Sequence, residues 1–111
     1  MAKPSREFHI PPFDGWRPTP VPGVSELTLA TDPDTGLETR LVRLAPGAHT
    51  RVIGPFVHDF HEEAYVLQGS VRDLTLDEEF AAGSYANRAA GLPHGPIESI
   101  DGCLVLEVRY P

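Results

Sequence analysis

The segment His58–Gly69, HDFHEEAYVLQG, puts two histidines, one aspartate and two glutamates into six residues and then turns apolar. Imidazole nitrogen and carboxylate oxygen are ligands that borderline divalent metals accept, provided the side chains converge from a rigid wall. Strands supply such a wall, because every second side chain points the same way. On this reading His58 closes one strand and Glu62 opens the next, and a short turn brings both to one side of a barrel. Ala64 and Val66 then follow Glu62 on the same face. The third ligand is expected from His94, in GLPHGP, where glycine and proline fix a tight loop beside a strand. His61 is a further metal-ligand candidate. Alternation points it away from Glu62, but a distorted turn would bring it in. His49 is a candidate too, because the loop over 46–56 is long enough to fold back. Tyr65, Tyr85, Arg88 and Glu98 are the candidates for acid–base work or for support around the ligands.

The elements that must carry these residues are short strands. SELTLAT (25–31) alternates polar and apolar residues and is followed by the turn DPDTG (32–36). LETRLVRLA (37–45) alternates again, with Val42 and Leu44 on one face. AYVLQGSVRDLTL (64–76) reads as a strand broken by Gly69, and DEEF (77–80) as solvent-facing. AAGSYANR (81–88), IESI (97–100), the turn DG (101–102) and the strongly β-prone CLVLEVRYP (103–111) complete the series. Evenly spaced short strands without sustained helical periodicity predict an all-β sandwich or barrel.

Residues 1–23 differ, holding six of the chain's twelve prolines. Proline cannot donate to a ladder, so this stretch is read as an extended N-terminal arm, with Phe8, Phe13 and Trp16 as apolar anchors on the domain or on a partner subunit. The barrel domain is placed at 24–111. At 111 residues the chain suits one domain, and its net charge of −7 repels phosphate backbones, which argues against nucleic acid. The lone cysteine, Cys103, excludes an internal disulfide and is expected to be buried as a small hydrophobe. No segment is apolar for long enough to span a bilayer, and no apolar leader opens the chain, so the expected compartment is the cytoplasm.

The spacing around His58 and His94 resembles the cupin signature. The first half of that signature is two histidines one residue apart, a glutamate, and a glycine after six more residues. Here Phe56 stands at the first histidine, and His58, Glu62 and Gly69 match the rest. In the second half Gly83, Gly91 and His94 match, Ala89 replaces proline, and Glu98 replaces asparagine. Residues 16–110 are also similar to small single-domain cupins of the ChrR type and to acetylacetone-cleaving dioxygenases, through PGV, APGA, EEAYVLQGSVRD, AGSY, HGP and DGCLVLEVRY.

The resemblance implies a double-stranded β-helix, or jelly-roll barrel, holding one divalent metal ion (Fe, Zn, Mn or Ni). It implies a metal-dependent, dioxygenase-like or lyase-type enzyme acting on a small oxygenated metabolite, such as a β-dicarbonyl or phenolic compound, and pairing as a homodimer. The alternative is a non-catalytic sensor or structural cupin with a degenerate metal site, a reading that Phe56 favours. Ligand histidines must be neutral, so metal affinity is expected to fall as pH drops through the free-imidazole pKa of about 6.5.

Overall fold

A computed structural model describes residues 2–111. Among them the elements are eight strands and two three-residue 3₁₀ turns, Phe13–Gly15 and Arg51–Ile53. The strands are β1 (Arg17–Pro18), β2 (Val24–Thr31), β3 (Glu38–Leu44), β4 (His61–Asp73), β5 (Glu78–Ala81), β6 (Tyr85–Arg88), β7 (Ile97–Glu98) and β8 (Cys103–Tyr110). All pairings are antiparallel, in the order β1-β2-β3-β8-β4-β5, with β6 and β7 also on β4. The curled all-β architecture is the one expected. No helix among the described residues is long and apolar enough to cross a membrane.

The strand β4 organises the molecule. Its first half lies between β8 and β6, and its second half between β5 and β7. Gly69 does not break it, contrary to the sequence expectation. The strand runs through Gly69 at φ +72°, just after a register shift between Val66 and Gln68. A Cβ at that point would collide with the Gly102 carbonyl oxygen, so only glycine lets the two backbones pass. The bulge bends the strand around the corner between the two sheets. It also changes which side chains face inward: Glu62 and Val66 are buried before it, and Asp73 after it.

Other elements also differ in extent from the sequence reading. Of AAGSYANR, Ala81 ends β5 and Tyr85–Arg88 forms β6, because residues 82–84 make the turn between them, and of IESI only Ile97–Glu98 is strand. His58 does not end a strand. It lies in the loop before β4, two residues beyond Phe56, which makes an isolated antiparallel bridge with His94.

The core is Val21, Val24, Val42, Leu44, Ala48, Val66, Cys103 and Val105, with Ala64, Val71 and Ile97 packed on it. Each valine, leucine or isoleucine among them contributes roughly 1.5–3 kcal/mol when fully buried. Cys103 is buried as expected, and burial raises its thiol pKa. The N-terminal stretch joins the fold at several points. β1 pairs with the start of β2, Val21 enters the core, and Trp16 packs under the Arg43 guanidinium at 4.5 Å. The Lys3 ammonium donates to the Arg109 carbonyl at 2.8 Å. Phe8 and Phe13, expected as anchors, are almost fully exposed at 105% and 89%.

Candidate metal centre

The site starts with a cross-strand row. Glu62 on β4 sits opposite Arg109 on β8 and opposite Arg88 on β6. Directly opposed residues on a sheet face have adjacent side chains, so the carboxylate is flanked by guanidinium on both sides. Glu62 is only 1% exposed. Its Oε2 accepts a 2.7 Å bond from Arg109 Nε, and its Oε1 a long 3.4 Å contact from Arg88 Nη1. A buried carboxylate without such partners would be strongly disfavoured.

Two loops then deliver the histidines. Phe56 and His94 exchange backbone bonds, Phe56 N–H to His94 O at 2.7 Å and His94 N–H to Phe56 O at 2.9 Å. Gly91 N–H donates to the His58 carbonyl at 2.7 Å, so the loops carrying His58 and His94 are zipped together. Gly95, at φ +74°, completes the arrangement, because a Cβ there would press on the Phe56 ring at 3.2 Å.

The result brings together three of the five metal-ligand candidates. One ligand atom from each of His58, Glu62 and His94 lies within 4.8 Å of the others, with His94 Nε2 3.8 Å from Glu62 Oε1. Two ligands of a tetrahedral zinc stand about 3.3 Å apart, so the His94–Glu62 pair would close by about 0.5 Å and the widest pair by no more than about 1.5 Å. The Nε2 atoms of both His58 and His94 are buried without a hydrogen-bond partner. Buried polar atoms are rarely left so, and a metal would satisfy both at once. The residues therefore fit a divalent ion.

Both imidazoles are held neutral. Burial, with the nearby Arg88 and His58 adding, pushes the His94 pKa down to about 4. Burial also lowers that of His58, against the opposing pull of Glu62. His94 thus titrates well below the free-imidazole value from which the sequence expectation started. The His58 ring is stacked on Phe60 at 4.4 Å between centroids, and the Arg109 guanidinium covers the other ring partner of that stack at 4.9 Å. Phe56 lies against both histidines, 5.9 Å from His58 and 5.3 Å from His94, where the cupin pattern has another histidine.

The remaining candidates fall outside this group. His61 opens β4 opposite Tyr110, packs on that ring at 5.4 Å, and accepts a bond from Ala90 N–H at 3.1 Å. His49 bridges to Glu98 on the backbone, and Glu98 itself pairs with Arg51 at 2.8 Å, so neither faces the trio. The Tyr85 hydroxyl donates to the Glu63 carboxylate, which raises its pKa, and the residue is exposed. Tyr65 is exposed as well. Arg88 alone among the acid–base candidates reaches the trio.

Sequence reasoning missed Arg109, Glu107 and Arg40. Arg40 bonds Glu107 at 2.8 Å and Glu26 at 2.6 Å, and Glu107 lies 3.8 Å from Arg109. The signal was present in CLVLEVRY. Positions 103, 105, 107 and 109 share one face of β8 and change from apolar to charged.

A cavity of about 500 Å³ opens beside the trio. Val42, Leu44, Val66, Val71, Phe80 and Val105 are among its walls, and Arg88, His94, Glu107 and Asp73 supply its charged or polar edge. His94 is the member of the trio that borders it.

Comparisons with known proteins agree with this fold. No curated protein sequence matches the chain. It is similar in structure to an acetylacetone dioxygenase from Acinetobacter johnsonii, at 16% identity and a TM-score of 0.75 over 96% of this chain and 75% of that one. It is similar to KdgF from Halomonas sp., at 24% identity and a TM-score of 0.68 over 86% of each chain. It is also similar to a chain of the Rhodobacter sphaeroides complex of SigE with the anti-sigma ChrR. That match has 27% identity and a TM-score of 0.61 over 83% of this chain, and spans 46% of the other. The family model described as the ChrR Cupin-like domain matches residues 14–111, so this chain belongs to the ChrR cupin-like family.

Proposed function

We propose that this chain is a metal-dependent cupin enzyme that binds a small oxygenated metabolite in its barrel. The observation that carries the reading is the pair of buried, unpartnered Nε2 atoms on His58 and His94 beside Glu62. His58 and His94 would hold a divalent ion through those nitrogens and Glu62 through Oε1, leaving positions open to water or ligand. When bound, the metal would supply Lewis acidity or a site for dioxygen. Arg109 fixes the rotamer of Glu62 by holding its other oxygen. A largely apolar wall lines the cavity on the face that His94 borders. Similarity to an acetylacetone dioxygenase supports dioxygenase-like chemistry as the reaction class.

Phe56 supports a second reading, a sensor or structural cupin without turnover, because it removes one ligand of the cupin pattern. Similarity to the SigE–ChrR complex gives that reading a precedent in form. Elemental analysis of the purified protein, followed by oxygen uptake with a panel of diketones and phenols, separates the two. Bound metal with substrate-dependent uptake supports the enzyme, whereas bound metal without uptake supports the sensor. The same proposal includes a homodimer, supported by Phe8, Ile10 and Phe13, which stand exposed on the arm. Sedimentation that shows only monomer at high micromolar concentration removes that part.

A further inference from the structure

The charged side chains around the trio form one chain of alternating sign. It runs Arg17, Glu26, Arg40, Glu107, Arg109, Glu62, Arg88, with successive N···O or paired contacts of 3.3, 2.6, 2.8, 3.8, 2.7 and 3.4 Å. Four arginines against three glutamates leave one positive charge in excess. The arginines that end the series, Arg17 and Arg88, each share a carboxylate that another arginine binds more closely, and of the two Arg88 lines the cavity. Its acid contact is 3.4 Å, to a carboxylate that Arg109 already binds at 2.7 Å. A guanidinium has five donors, so Arg88 has unused donors. It also borders the cavity, and it is half-buried with its side chain 24% exposed.

The two acids on the cavity wall do not compete for it. Glu107 Oε1 is taken by Arg40 Nε at 2.8 Å. Asp73 Oδ1 accepts from the N–H groups of Thr75 and Leu76 at 2.9 Å each, and its Oδ2 faces Gly95 N–H at 3.4 Å. Most of the remaining wall is aliphatic or aromatic carbon. One cation with donors to spare at the edge of an apolar cavity selects a ligand with one anionic head and an apolar body.

We propose that the cavity binds a small aliphatic monocarboxylate, its head on the Arg88 guanidinium beside His94 and its chain against Val42, Val66, Val71 and Val105. This deepens the reading of the cavity as a metabolite site, but it does not require a metal. Hexanoate is the test ligand, titrated calorimetrically into the full chain, once stripped of metal with a chelator and once with zinc added. Saturable binding to the stripped protein is expected. Arg88→Gln should weaken it by about tenfold or more, Arg88→Lys should restore part, and a control change at the surface, Arg72→Gln, should leave it unchanged. Hexanol and hexylammonium should bind at least about tenfold more weakly than hexanoate.

Amide chemical-shift changes should centre on Ala64, Val66, Ala86 and Arg88. Urea unfolding of each variant shows whether it is folded, and Arg88→Lys carries the test if Arg88→Gln is not. The proposal is overturned if hexanoate does not bind, if hexanol binds as tightly, or if both Arg88 variants bind like the unmodified chain. Zinc binding without hexanoate binding would sink this inference and spare the metal reading. Hexanoate binding without zinc binding would do the reverse.

Discussion

The inward faces of β3, β4 and β8 carry two layers that differ sharply over a few rungs. At one end Val42, Val105 and Val66 pair across the strands, with Leu44 opposite Cys103. At the other, Arg40 stands opposite Glu107 and Glu62 opposite Arg109. The same ladder therefore builds an apolar floor and a partly buried ionic rim around the buried Glu62. The floor holds by area removed from water, and each residue in it acts largely alone. The rim holds only as a matched set, because removing one partner leaves another charge buried. The unpartnered imidazole nitrogens of His58 and His94 and the under-used Arg88 guanidinium lie together beside the rim.

Substitutions on the two layers should separate them. Glu62→Ala leaves Arg109 and Arg88 without their shared carboxylate and should cost about 3–5 kcal/mol in urea unfolding. Leu44→Ala, in the floor, should cost about 3 kcal/mol through lost transfer energy and the cavity left behind. A silent Glu62→Ala beside a costly Leu44→Ala would mean that the rim is solvated and loosely held.

The third prediction concerns pH. The folded pKa of His94 is about 4, below the value of about 6.5 for an unfolded chain. Between those values the unfolded state binds the extra proton, so metal-free stability is complete above about pH 6.5 and declines as pH falls toward 4. The loss should approach roughly 3 kcal/mol, and His94→Leu should flatten the slope in this window.

A smaller gain is expected from Phe56→His. Its backbone bridges His94 and its ring already touches both imidazoles, so the new imidazole would stand beside the trio. Zinc affinity measured by competition with a chelator should tighten by about tenfold. Least of all, Tyr85→Phe should change stability by no more than about 0.5 kcal/mol, since its bond to Glu63 is on the surface.

Much of this was legible in the chain. Alternation grouped Val42 and Leu44 on one face of β3, the face that enters the core, and the spacing of His58, Glu62 and His94 found the trio. Alternation also predicted that His61, next to Glu62, points away unless the turn distorts, and it packs on Tyr110 instead. What was not legible depends on which strands become neighbours. Arg109 looks like an ordinary surface charge until β8 closes beside Glu62, and Arg88, already a candidate, gains its partner only when β6 closes on the other side. The continuity of β4 through Gly69 was hidden for a related reason. Glycine reads locally as a breaker, and only the approach of Gly102 shows why it sits inside a strand.

The central claim is that His58, Glu62 and His94 form one metal site. Its most direct test is a zinc titration of the metal-stripped protein at pH 7 by isothermal calorimetry, run beside His58→Ala, His94→Ala and His61→Ala. The account predicts one zinc per chain, binding lost or greatly weakened in His58→Ala and His94→Ala, and binding retained in His61→Ala. No binding to the unmodified chain, or binding lost in His61→Ala and kept in His94→Ala, would contradict it.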